Sequence, residues 1–537
     1  MAKVVLLAIN AKYVHSSLSV WLIAEGVSHF SRFPHEMRII EATINQKIND
    51  IVNGITEQNP DIIGISTYIW NAGMLPEVIA RLREQLPGTV IVLGGPEASN
   101  NIDYWLENGA GYVLEGEGEY IFPQFLDAFT EKNNNSDFCD EDIKTITVQQ
   151  SDNLINPYNN AYFKTLNGRL SYIETSRGCP FQCSFCLSAG SSVKYFPLDI
   201  VKEQIHKLSQ ANTKTIKFVD RTFNCNATRA FEIFEYVINL NTECGFHFEA
   251  AADLFDERTL LLLETAPAGR IQFEIGLQSF HEPALNAVSR QMDISKAERN
   301  IRFLLKTYNI HIHIDLIAGL PYETLNDFQN SFNRAYNLNT HTLQLGFLKL
   351  LHGSELRKQA DSLGIQYSIE PPYEITCSTW LSTDDLLVLK QVENALQNTR
   401  NKNRFLSTLH YVLSATGKTP FSLMHALGAS VPNRGTQLEE FIVQIYEFFK
   451  GLPGIDDNDL KDCMIYDWLS MVKGKNMPGF LKNDDTQRKR ITENAEKLLK
   501  RKLRREEYAI LHSRKGVFVD SNEHDPVAGL YNVYICD

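Results

Sequence analysis

The sequence predicts an α/β protein of 537 residues with an N-terminal doubly wound sheet, a central α/β region and a mainly helical C-terminal region. Short apolar runs alternate with amphipathic segments through the first 130 residues, and again from residue 170 to about residue 351. This alternation is typical of parallel sheets, whose strands are joined by crossover helices. We therefore expect a domain at 1–130, a linker at 131–168, a second domain at 169–365 and a C-terminal domain at 366–537.

The composition is that of a globular protein, with 43% apolar and 22% charged residues. The formal net charge of −13 argues against a surface that grips nucleic acid throughout. Nine cysteines, an odd number unevenly spread, do not make a secreted disulfide framework. The N-terminus is too short for a signal peptide, and no run approaches the ~18 apolar residues of a membrane span. We therefore expect a protein of the reducing cytoplasm.

Five strands and several helices are predicted in the first domain. The strands are Val4–Ile9, Met37–Ile40, Ile62–Ser66, Val90–Leu93 and Tyr112–Leu114, and the helices include Leu18–Phe30, Ile48–Gln58 and Pro76–Gln85. Ligands of such sheets bind beyond the carboxyl ends of the strands. The loops there contain glycines, which let the backbone approach a large flat ligand, and Ser, Thr and Asn, which supply hydrogen bonds. No G-x-G-x-x-G follows the first strand, so a dinucleotide is not the preferred ligand.

Three cysteines follow an apolar run in the order C-x3-C-x2-C, at Cys179, Cys183 and Cys186. Three thiolates would hold a [4Fe–4S] cluster and leave one iron open for a small chelating molecule. The alternatives are ordinary thiols or part of a zinc site. Zinc would need a fourth ligand at short spacing, and the next candidates, His206 and Cys225, do not provide one. The sequence therefore favours the cluster.

This spacing, with Phe185 before the last cysteine, resembles the signature of the radical S-adenosylmethionine (SAM) enzymes. The resemblance implies that SAM chelates the open iron and that the central domain is a partial (β/α)6 barrel. Reactive groups in barrels of this kind project from the carboxyl ends of the strands. The predicted strands are Ser171–Glu174, Thr215–Val219, Phe246–Ala250, Ile271–Ile275, His311–Ile317 and Thr342–Phe347.

Several residues match the coproporphyrinogen-oxidising branch of that family, which implies that they contact SAM. They are Glu249, Gln278, Arg290, Asp315 and Gly319. Arg290 would face the SAM carboxylate, for which its bidentate fork is suited. The family often has Gly-Gly-Glu after the second strand, where this chain has Val219-Asp220-Arg221, so Asp220 is the candidate acceptor for the SAM amino group. Taken singly, Asp315 or Glu249 could instead be a strand-end charge in a salt bridge, and Arg290 could be a solvated helix residue.

The Gly94–Ser99 and Glu115–Glu119 segments resemble the cobalamin-binding domain that precedes many radical SAM cores. The cobalamin contacts implied are Asn10, Ser66, Thr67, Gly94, Gly95, Glu115 and Gly116. The D-x-H-x-x-G motif is missing, because His15, His29 and His35 do not lie in that frame. The resemblance therefore implies cobalamin without a protein histidine ligand. The alternative is a purely structural α/β domain.

The resemblance implies a cobalamin-dependent radical SAM enzyme, in which SAM is cleaved reductively to a 5′-deoxyadenosyl radical. A methyl group would then pass from methylcobalamin to an unactivated carbon. The alternatives are a non-methylating radical SAM oxidoreductase or cyclase, and a non-catalytic iron–sulfur redox protein. The reaction needs an electron donor such as flavodoxin or ferredoxin, and an unknown small-molecule or peptide substrate.

The C-terminal third contains no motif to which chemistry can be assigned. Helical periodicity covers Ser382–Asn398, Leu438–Lys450 and Asp485–Glu507, and Lys515–Asp520 is a candidate strand. The basic run from Arg488 to Arg505 is best interpreted as the solvated face of a helix, with binding of a phosphate group or RNA as the alternative. We expect this region to cap the barrel mouth.

Overall fold

The computed structural model describes residues 2–134, 154–431, 437–483 and 488–536. Contacts divide the chain into two compact units, which we describe separately. The first contains Met1–Glu249, Val288–Arg290 and Lys349–Thr376, and the second contains Ala250–Ala287, Gln291–Leu348 and Cys377–Asp537. The domain boundaries at 130, 168 and 365 stay predictions.

The first unit opens with a five-stranded parallel sheet of order β2-β1-β3-β4-β5. Its elements are β1 Lys3–Asn10, α1 Ser19–Phe30, β2 Glu36–Thr43, α2 Ile48–Thr56, β3 Ile62–Ser66, α3 Leu75–Gln85, β4 Val90–Gly94, α4 Pro96–Ser99, α5 Ile102–Glu107, β5 Tyr112–Leu114 and α6 Gly118–Asn134. The five predicted strands all form. The strand order reverses between β1 and β3, which is where sheets of this order bind ligands.

Helices cover both faces of this sheet. On one face, Val5 and Leu7 join a buried apolar cluster with residues of α2 and α3. On the other face, Gly64 lies against Leu6 and the ring of Phe122 in α6, where an added Cβ would come within 2.8 Å of the Leu6 side chain. Burial on both faces explains why β1 is a continuous apolar run rather than an alternating one. The doubly wound fold is confirmed.

The first unit also contains the start of the central α/β region. Its elements are α7 Asn160–Leu166, β6 Ser171–Ile173, β7 Ser176–Arg177, β8 Lys194–Tyr195, α8 Leu198–Ser209, β9 Thr215–Phe218, α9 Ala227–Asn239 and β10 Gly245–Glu249. Strand β9 pairs in parallel with both β6 and β10. Helix α7 falls within the predicted linker. Two later segments of this unit, α14 Glu355–Gln359 and β14 Gln366–Tyr367, come from residues 349–376.

The second unit carries the remaining three predicted strands of the central region. Its first elements are α10 Glu257–Glu264, β11 Ile271–Gln278, α11 Glu282–Ala287, α12 Ile294–Lys306, β12 Ile310–Ala318, α13 Leu325–Tyr336 and β13 Thr342–Phe347. Strand β12 pairs in parallel with β11 and with β13. Buried and half-buried residues alternate along β11 and β12, because successive side chains of a strand point to opposite faces of the sheet and one face is more deeply buried than the other.

The C-terminal region of the second unit is helical with one small sheet. Strand β15 Ile375–Cys377 comes first along the chain, and its residues Ile375 and Thr376 still belong to the first unit. The later elements are α15 Thr383–Asn398, α16 Leu406–Thr416, α17 Pro420–Ser430, α18 Leu438–Lys450, α19 Asp457–Met471 and α20 Arg488–Leu499, then the antiparallel strands β16 Tyr508–Ile510, β17 Gly516–His524 and β18 Tyr531–Cys536. Helix α20 is shorter than predicted, because Lys500 takes a left-handed conformation with φ 55° and ends it. No helix among residues 2–134, 154–431, 437–483 and 488–536 is long and apolar enough to cross a membrane.

The C-terminal region reaches both ends of the strands in its unit. Near their carboxyl ends, the ring of Trp380 packs on Tyr322 with centroids 4.6 Å apart. Near the amino ends, His311 Nδ1 lies 2.9 Å from the carbonyl oxygen of Val527, in the connection between β17 and β18. We expected the C-terminal region to cap the carboxyl ends of the strands. Trp380, in the first part of the region, lies there, whereas Val527, in the last part, lies at the amino ends.

Two helical glycines make opposite predictions for stability. An added Cβ at Gly26 in α1 would overlap the carbonyl oxygen of Glu119 in α6, so Gly26→Ala should lower the free energy of unfolding by about 1–3 kcal/mol. Gly54 in α2 has nothing within 4 Å of the same position, so Gly54→Ala should raise it by about 0.5–1 kcal/mol. Denaturant unfolding of both variants measures the difference, and a loss of stability in Gly54→Ala would contradict the packing described.

Candidate functional site

The predicted cluster cysteines lie on one loop, closed at its base by the antiparallel pair of β7 and β8. Cys179 and Cys183 are buried, and Cys186 is partly exposed; all three are free thiols. The amide of Cys186 donates to the carbonyl of Cys183 at 3.0 Å, so these two cysteines share a turn. The loop therefore presents three thiols from a short, closed segment.

Glycine is required just before the first of these cysteines. Gly178 has φ 105°, and a Cβ there would overlap the carbonyl oxygen of Ser192 on the returning arm of the loop. The next amide, that of Cys179, donates to Ser191 Oγ at 2.9 Å. The two arms of the loop are thus held against each other where the first thiol begins.

Arg290 brings a cation to this loop. Its Nη1 lies 3.5 Å from Cys183 Sγ, and the amide of Ser184 donates to the carbonyl of Val288 at 3.0 Å. Residues 288–290 are therefore fixed to the cysteine loop by backbone and side chain together. The predicted contact of Arg290 with SAM stays a prediction.

Burial raises the pKa of the Cys186 thiol, although a hydrogen bond involving the backbone of Ser188 and the charge of Arg221 act in the opposite direction. A thiol that ligates a metal must lose its proton. Metal binding at this loop should therefore release protons.

Asp220 holds the strand that leads into the loop. Its carboxylate accepts hydrogen bonds from the Thr175 amide at 3.0 Å, the Thr175 hydroxyl at 2.7 Å and the Ser176 hydroxyl at 2.5 Å. Burial raises the pKa of Asp220, and these hydrogen bonds oppose that effect. Asp220 thus has a structural task that the sequence did not reveal, and the expected contact with the SAM amino group stays a prediction.

Gln278 ends β11 in the second unit with an unusual backbone. Its φ is 68°, in the left-handed region that non-glycine residues rarely adopt. Its side-chain Oε1 is buried and has no hydrogen-bond partner among the described residues. A buried acceptor without a donor carries a desolvation cost, which a ligand with an N–H or O–H would remove.

Asp315 lies on β12 beside a histidine of the same strand face. Its Oδ1 is 3.0 Å from His313 Nε2, and Glu274 of β11 brings a third donor, with ligand atoms of the three within 4.8 Å of one another. His311, by contrast, stacks on His341 with ring centroids 4.8 Å apart. The two histidines weighed as a pair in the sequence thus have different partners.

The remaining two expected SAM contacts lie at strand ends. Gly319 follows β12 with φ 99°, so a glycine is required there. Glu249 is the last residue of β10, in the first unit.

The predicted cobalamin residues fall at the carboxyl edge of the five-stranded sheet. Gly95 has φ 103°, and a Cβ there would come 2.7 Å from the carbonyl oxygen of Thr67. The Thr67 hydroxyl is buried without a partner in the described part of the chain. Gly94, Glu115 and Gly116 end the neighbouring strands or follow them. At this edge, therefore, Gly95 leaves the backbone without a side chain, and the buried Thr67 hydroxyl has no hydrogen-bond partner among the described residues.

Two residues of that set already have protein partners. The Asn10 side-chain amide donates to Glu41 Oε2 at 3.0 Å, and Ser66 Oγ donates to the carbonyl of Leu7 at 3.4 Å. Of the early histidines, His15 lies in the loop after β1, where its Nδ1 is 2.5 Å from the hydroxyl of Tyr172. The absence of a histidine ligand to cobalt stays a prediction.

Arg177 connects the two sets of loops within the first unit. From its place beside the cysteines it contacts Glu117 at 2.8 Å, Glu119 at 2.9 Å and Glu174 at 2.5 Å. Burial alone would lower the pKa of Arg177, but the hydrogen bond and charge of Glu174, with the charges of Glu119 and Glu117, raise it well above its usual range. The Glu-Gly-Glu-Gly-Glu segment is thereby tied to the base of the cysteine loop.

Three family models match successive parts of the chain. They are the B12 binding domain at residues 4–126, the radical SAM superfamily at residues 173–335, and a protein of unknown function (DUF4080) at residues 361–518. The first two coincide with the sheet edge and the cysteine loop described above. The chain therefore carries a B12-binding domain followed by a radical SAM domain.

Curated relatives in this superfamily are distant. The cobalamin-dependent radical SAM methyltransferase TokK of Streptomyces tokunonensis is 21% identical over 325 residues, 55% of this chain and 47% of TokK. The hopanoid C-3 methylase of Methylococcus capsulatus is 22% identical over 57% of this chain and 61% of that protein. The anaerobic magnesium-protoporphyrin IX monomethyl ester cyclase of Rubrivivax gelatinosus is 23% identical over 56% of this chain and 58% of the cyclase. The chain thus spans only about half to three fifths of these relatives.

Solved structures of the superfamily share the fold. The radical SAM methyltransferase TsrM of Kitasatospora setae, with cobalamin and a [4Fe–4S] cluster bound, superposes with a TM-score of 0.55 at 15% identity, covering 70% of this chain and 79% of TsrM. OxsB, solved with aqua-cobalamin and S-adenosylmethionine bound, gives a TM-score of 0.57 at 13% identity and covers 87% of this chain and 78% of OxsB. The predicted fold class is confirmed.

Sequence reasoning missed Arg177, Thr222 and the structural role of Asp220. Arg177 lies two residues before the first cysteine of the motif, and its three glutamate partners lie in segments that the sequence had also singled out. Thr222 Oγ1 is 3.7 Å from Cys179 Sγ, at a loop position that carries no pattern. The opposite charges of Arg177 and the acidic Glu115–Glu119 segment were the signal that could have predicted this contact.

Removing Arg177 should destabilise the first unit. Arg177→Ala would leave carboxylates of Glu117, Glu119 and Glu174, with 10–20% of their side chains exposed, without their cation. We expect a loss of about 2–4 kcal/mol in the free energy of unfolding, somewhat less than for a fully buried pair. Arg38→Ala, which removes an exposed pair with Glu36, should cost less than about 1 kcal/mol. Equal losses in urea unfolding would contradict the role assigned to Arg177.

Proposed function

We propose that this protein is a cobalamin-dependent radical SAM enzyme that transfers a methyl group to an unactivated carbon. The observation that carries the proposal is the connection made by Arg177 between a loop of three free thiols and the strand-end segment of a B12-binding sheet. Relatives that are named as methylases or methyltransferases support the choice of reaction.

The residues present fit the three groups that the superfamily uses. Cys179, Cys183 and Cys186 would hold the iron–sulfur cluster and leave one iron open. The left-handed Gly95 and the unused Thr67 hydroxyl suit a large planar group with amide side chains. When bound, SAM at the cluster supplies a 5′-deoxyadenosyl radical, and methylcobalamin supplies the methyl group.

The residues of this chain would bind, orient and shield those groups. Arg290, at 3.5 Å from Cys183 Sγ, would stabilise negative charge at the cluster and donate hydrogen bonds to the SAM carboxylate. The amide oxygen of Gln278 would accept a hydrogen bond from the SAM ribose. Asp315, which lies beside His313, would accept a hydrogen bond from a hydroxyl of the ribose or of the substrate. Asp220 would keep the cysteine loop in place through Thr175 and Ser176. A one-electron donor such as flavodoxin or ferredoxin would be its partner in the cytoplasm.

The iron content tests the cluster. Anaerobic reconstitution should give about four irons per chain, and Cys179→Ala, Cys183→Ala or Cys186→Ala should each lose most of that iron because a cluster needs all three thiolates. Cys244→Ala is the matched control, since the Cys244 thiol is buried and donates to the carbonyls of Ser209 and Thr213. Full iron retention in the three loop variants, measured by iron assay and visible absorption, would remove the basis of the proposal.

The products of SAM test the reaction. A methyl transfer of this kind yields S-adenosylhomocysteine together with 5′-deoxyadenosine, because a second SAM remethylates the cobalt. A non-methylating cyclase or oxidoreductase, which the similarity to the magnesium-protoporphyrin cyclase favours, yields 5′-deoxyadenosine alone. Chromatography of reduced, cobalamin-loaded protein with SAM and candidate substrates separates the two. If neither S-adenosylhomocysteine nor 5′-deoxyadenosine forms, the protein is a non-catalytic redox protein.

A further inference from the structure

Glu323 is a fully buried carboxylate in the loop after β12, and the site described above does not use it. Its Oε1 accepts hydrogen bonds from the hydroxyls of Ser279 and Ser331, the latter at 3.2 Å. Both serines are also buried. Three distant points of the second unit, in the turn after β11, the loop after β12 and helix α13, therefore meet at one carboxylate oxygen.

This carboxylate fixes the turn that carries Gln278. Ser279 follows Gln278 directly, and its Oγ also accepts from the amide of His281 at 2.8 Å. Ser331 Oγ accepts from the amide of Phe280 at 3.2 Å. The left-handed backbone of Gln278 is unfavourable for a residue with a side chain, so it persists only where the surroundings determine it. The hydrogen bonds to Glu323 and Ser331 provide those surroundings.

Gln278 and Glu323 each retain one buried atom without a partner among the described residues, Oε1 and Oε2 respectively. The Gln278 oxygen is the one expected to meet SAM. Its direction depends on the φ of Gln278, and that φ depends on where Ser279 is held.

We propose that Glu323 is a positioning residue for SAM: by holding Ser279, it keeps Gln278 in the left-handed conformation that aims its amide at the SAM ribose. The proposal rests on the assignment of this protein as a SAM-binding enzyme. Glu323 itself touches neither SAM nor substrate in this scheme.

The charge of Glu323 makes the arrangement sensitive to pH. Burial raises the pKa of Glu323, the hydrogen bonds from Ser279 and Ser331 oppose that effect, and the charge of Asp327 adds to it, so that the pKa is about 7. His281 Nδ1 lies 3.8 Å from Asp327 Oδ1, and beyond it Arg334 packs on the Phe280 ring and pairs with Glu298. An ionised carboxylate accepts hydrogen bonds more strongly than a neutral one, so the hydrogen bonds that hold the turn are strongest above neutral pH. The desolvation cost of the buried charge nevertheless lowers the stability of the whole fold there.

The test measures SAM affinity by anaerobic equilibrium dialysis of the reconstituted protein at pH 6 and pH 8. The wild type should bind SAM more weakly at pH 6. Glu323→Gln keeps an oxygen that accepts from both serines but cannot ionise, so its ratio of Kd at the two pH values should be at least about threefold smaller than that of the wild type. Glu298→Gln, which removes an acid of the same neighbourhood from its pair with Arg334, should keep the wild-type ratio.

A second comparison tests the link between Ser279 and Gln278. Ser279→Ala and Gln278→Ala should each weaken SAM binding by about threefold to tenfold. Their combination should be no weaker than the worse of the two, because both remove the same contact. Full additivity would mean that Ser279 acts on SAM by another route and would overturn the proposal.

Thermal unfolding without SAM provides an independent readout. Because burial places the folded-state pKa of Glu323 above its ordinary value of 4.5, the folded state binds the extra proton between about pH 4.5 and pH 7, and stability due to this group falls as pH rises through that window. Glu323→Gln should remove this fall in stability.

The SAM-binding experiment separates the two proposals. If the wild type does not bind SAM at all, the proposed function and this inference both fail. If it binds SAM and Glu323→Gln keeps the wild-type ratio of Kd at the two pH values, this inference alone fails.

Discussion

The neutralisation of one partly buried guanidinium determines how the first unit is assembled. Arg177 lies directly before Gly178 and Cys179, where the chain must leave a short strand and form the cysteine loop. Its three carboxylate partners come from both sides of the chain: Glu174 from the preceding segment, and Glu117 and Glu119 from the end of the five-stranded sheet. A charge in this position cannot be left unpaired without a large desolvation cost. The sheet edge and the loop are therefore obliged to lie together.

Much of the fold was accessible from the sequence, because apolar periodicity reports burial directly. Five strands in the first domain and six in the central region formed where alternation with helices predicted them. The order of the first sheet, with its reversal between β1 and β3, places the loops that were singled out at the usual ligand position. The small sheet of β16 to β18 was only partly predicted, since β16 has only three residues and no residue of β18 is fully buried.

The candidate site was less accessible, and the reason differs between residues. Cysteine spacing identified the metal-binding loop because that chemistry requires a fixed residue type at a fixed separation. Asp220 and Glu323 could not be recognised in the same way, since an acid in a loop is normally solvated and only three-dimensional burial shows it to be a hydrogen-bond acceptor for serine and threonine hydroxyls. Gln278 carries a conformational cost that no sequence pattern expresses. Such departures from local preference are concentrated at the strand ends, where function requires particular directions rather than the most stable ones.

The contact between His311 and the β17–β18 connection has a consequence for biosynthesis. The bond joins residues 216 positions apart, and Asn403 Nδ2 donates to the neighbouring Ala528 carbonyl at 2.7 Å. At a ribosomal rate of about 5–20 residues per second, roughly 10–40 s separate the synthesis of the two partners. During that interval the amino ends of β11 and β12 remain uncovered, although the cysteine loop has already left the ribosome. The amino end of β12 thus waits for the last segment of the chain, long after its own strand has been made.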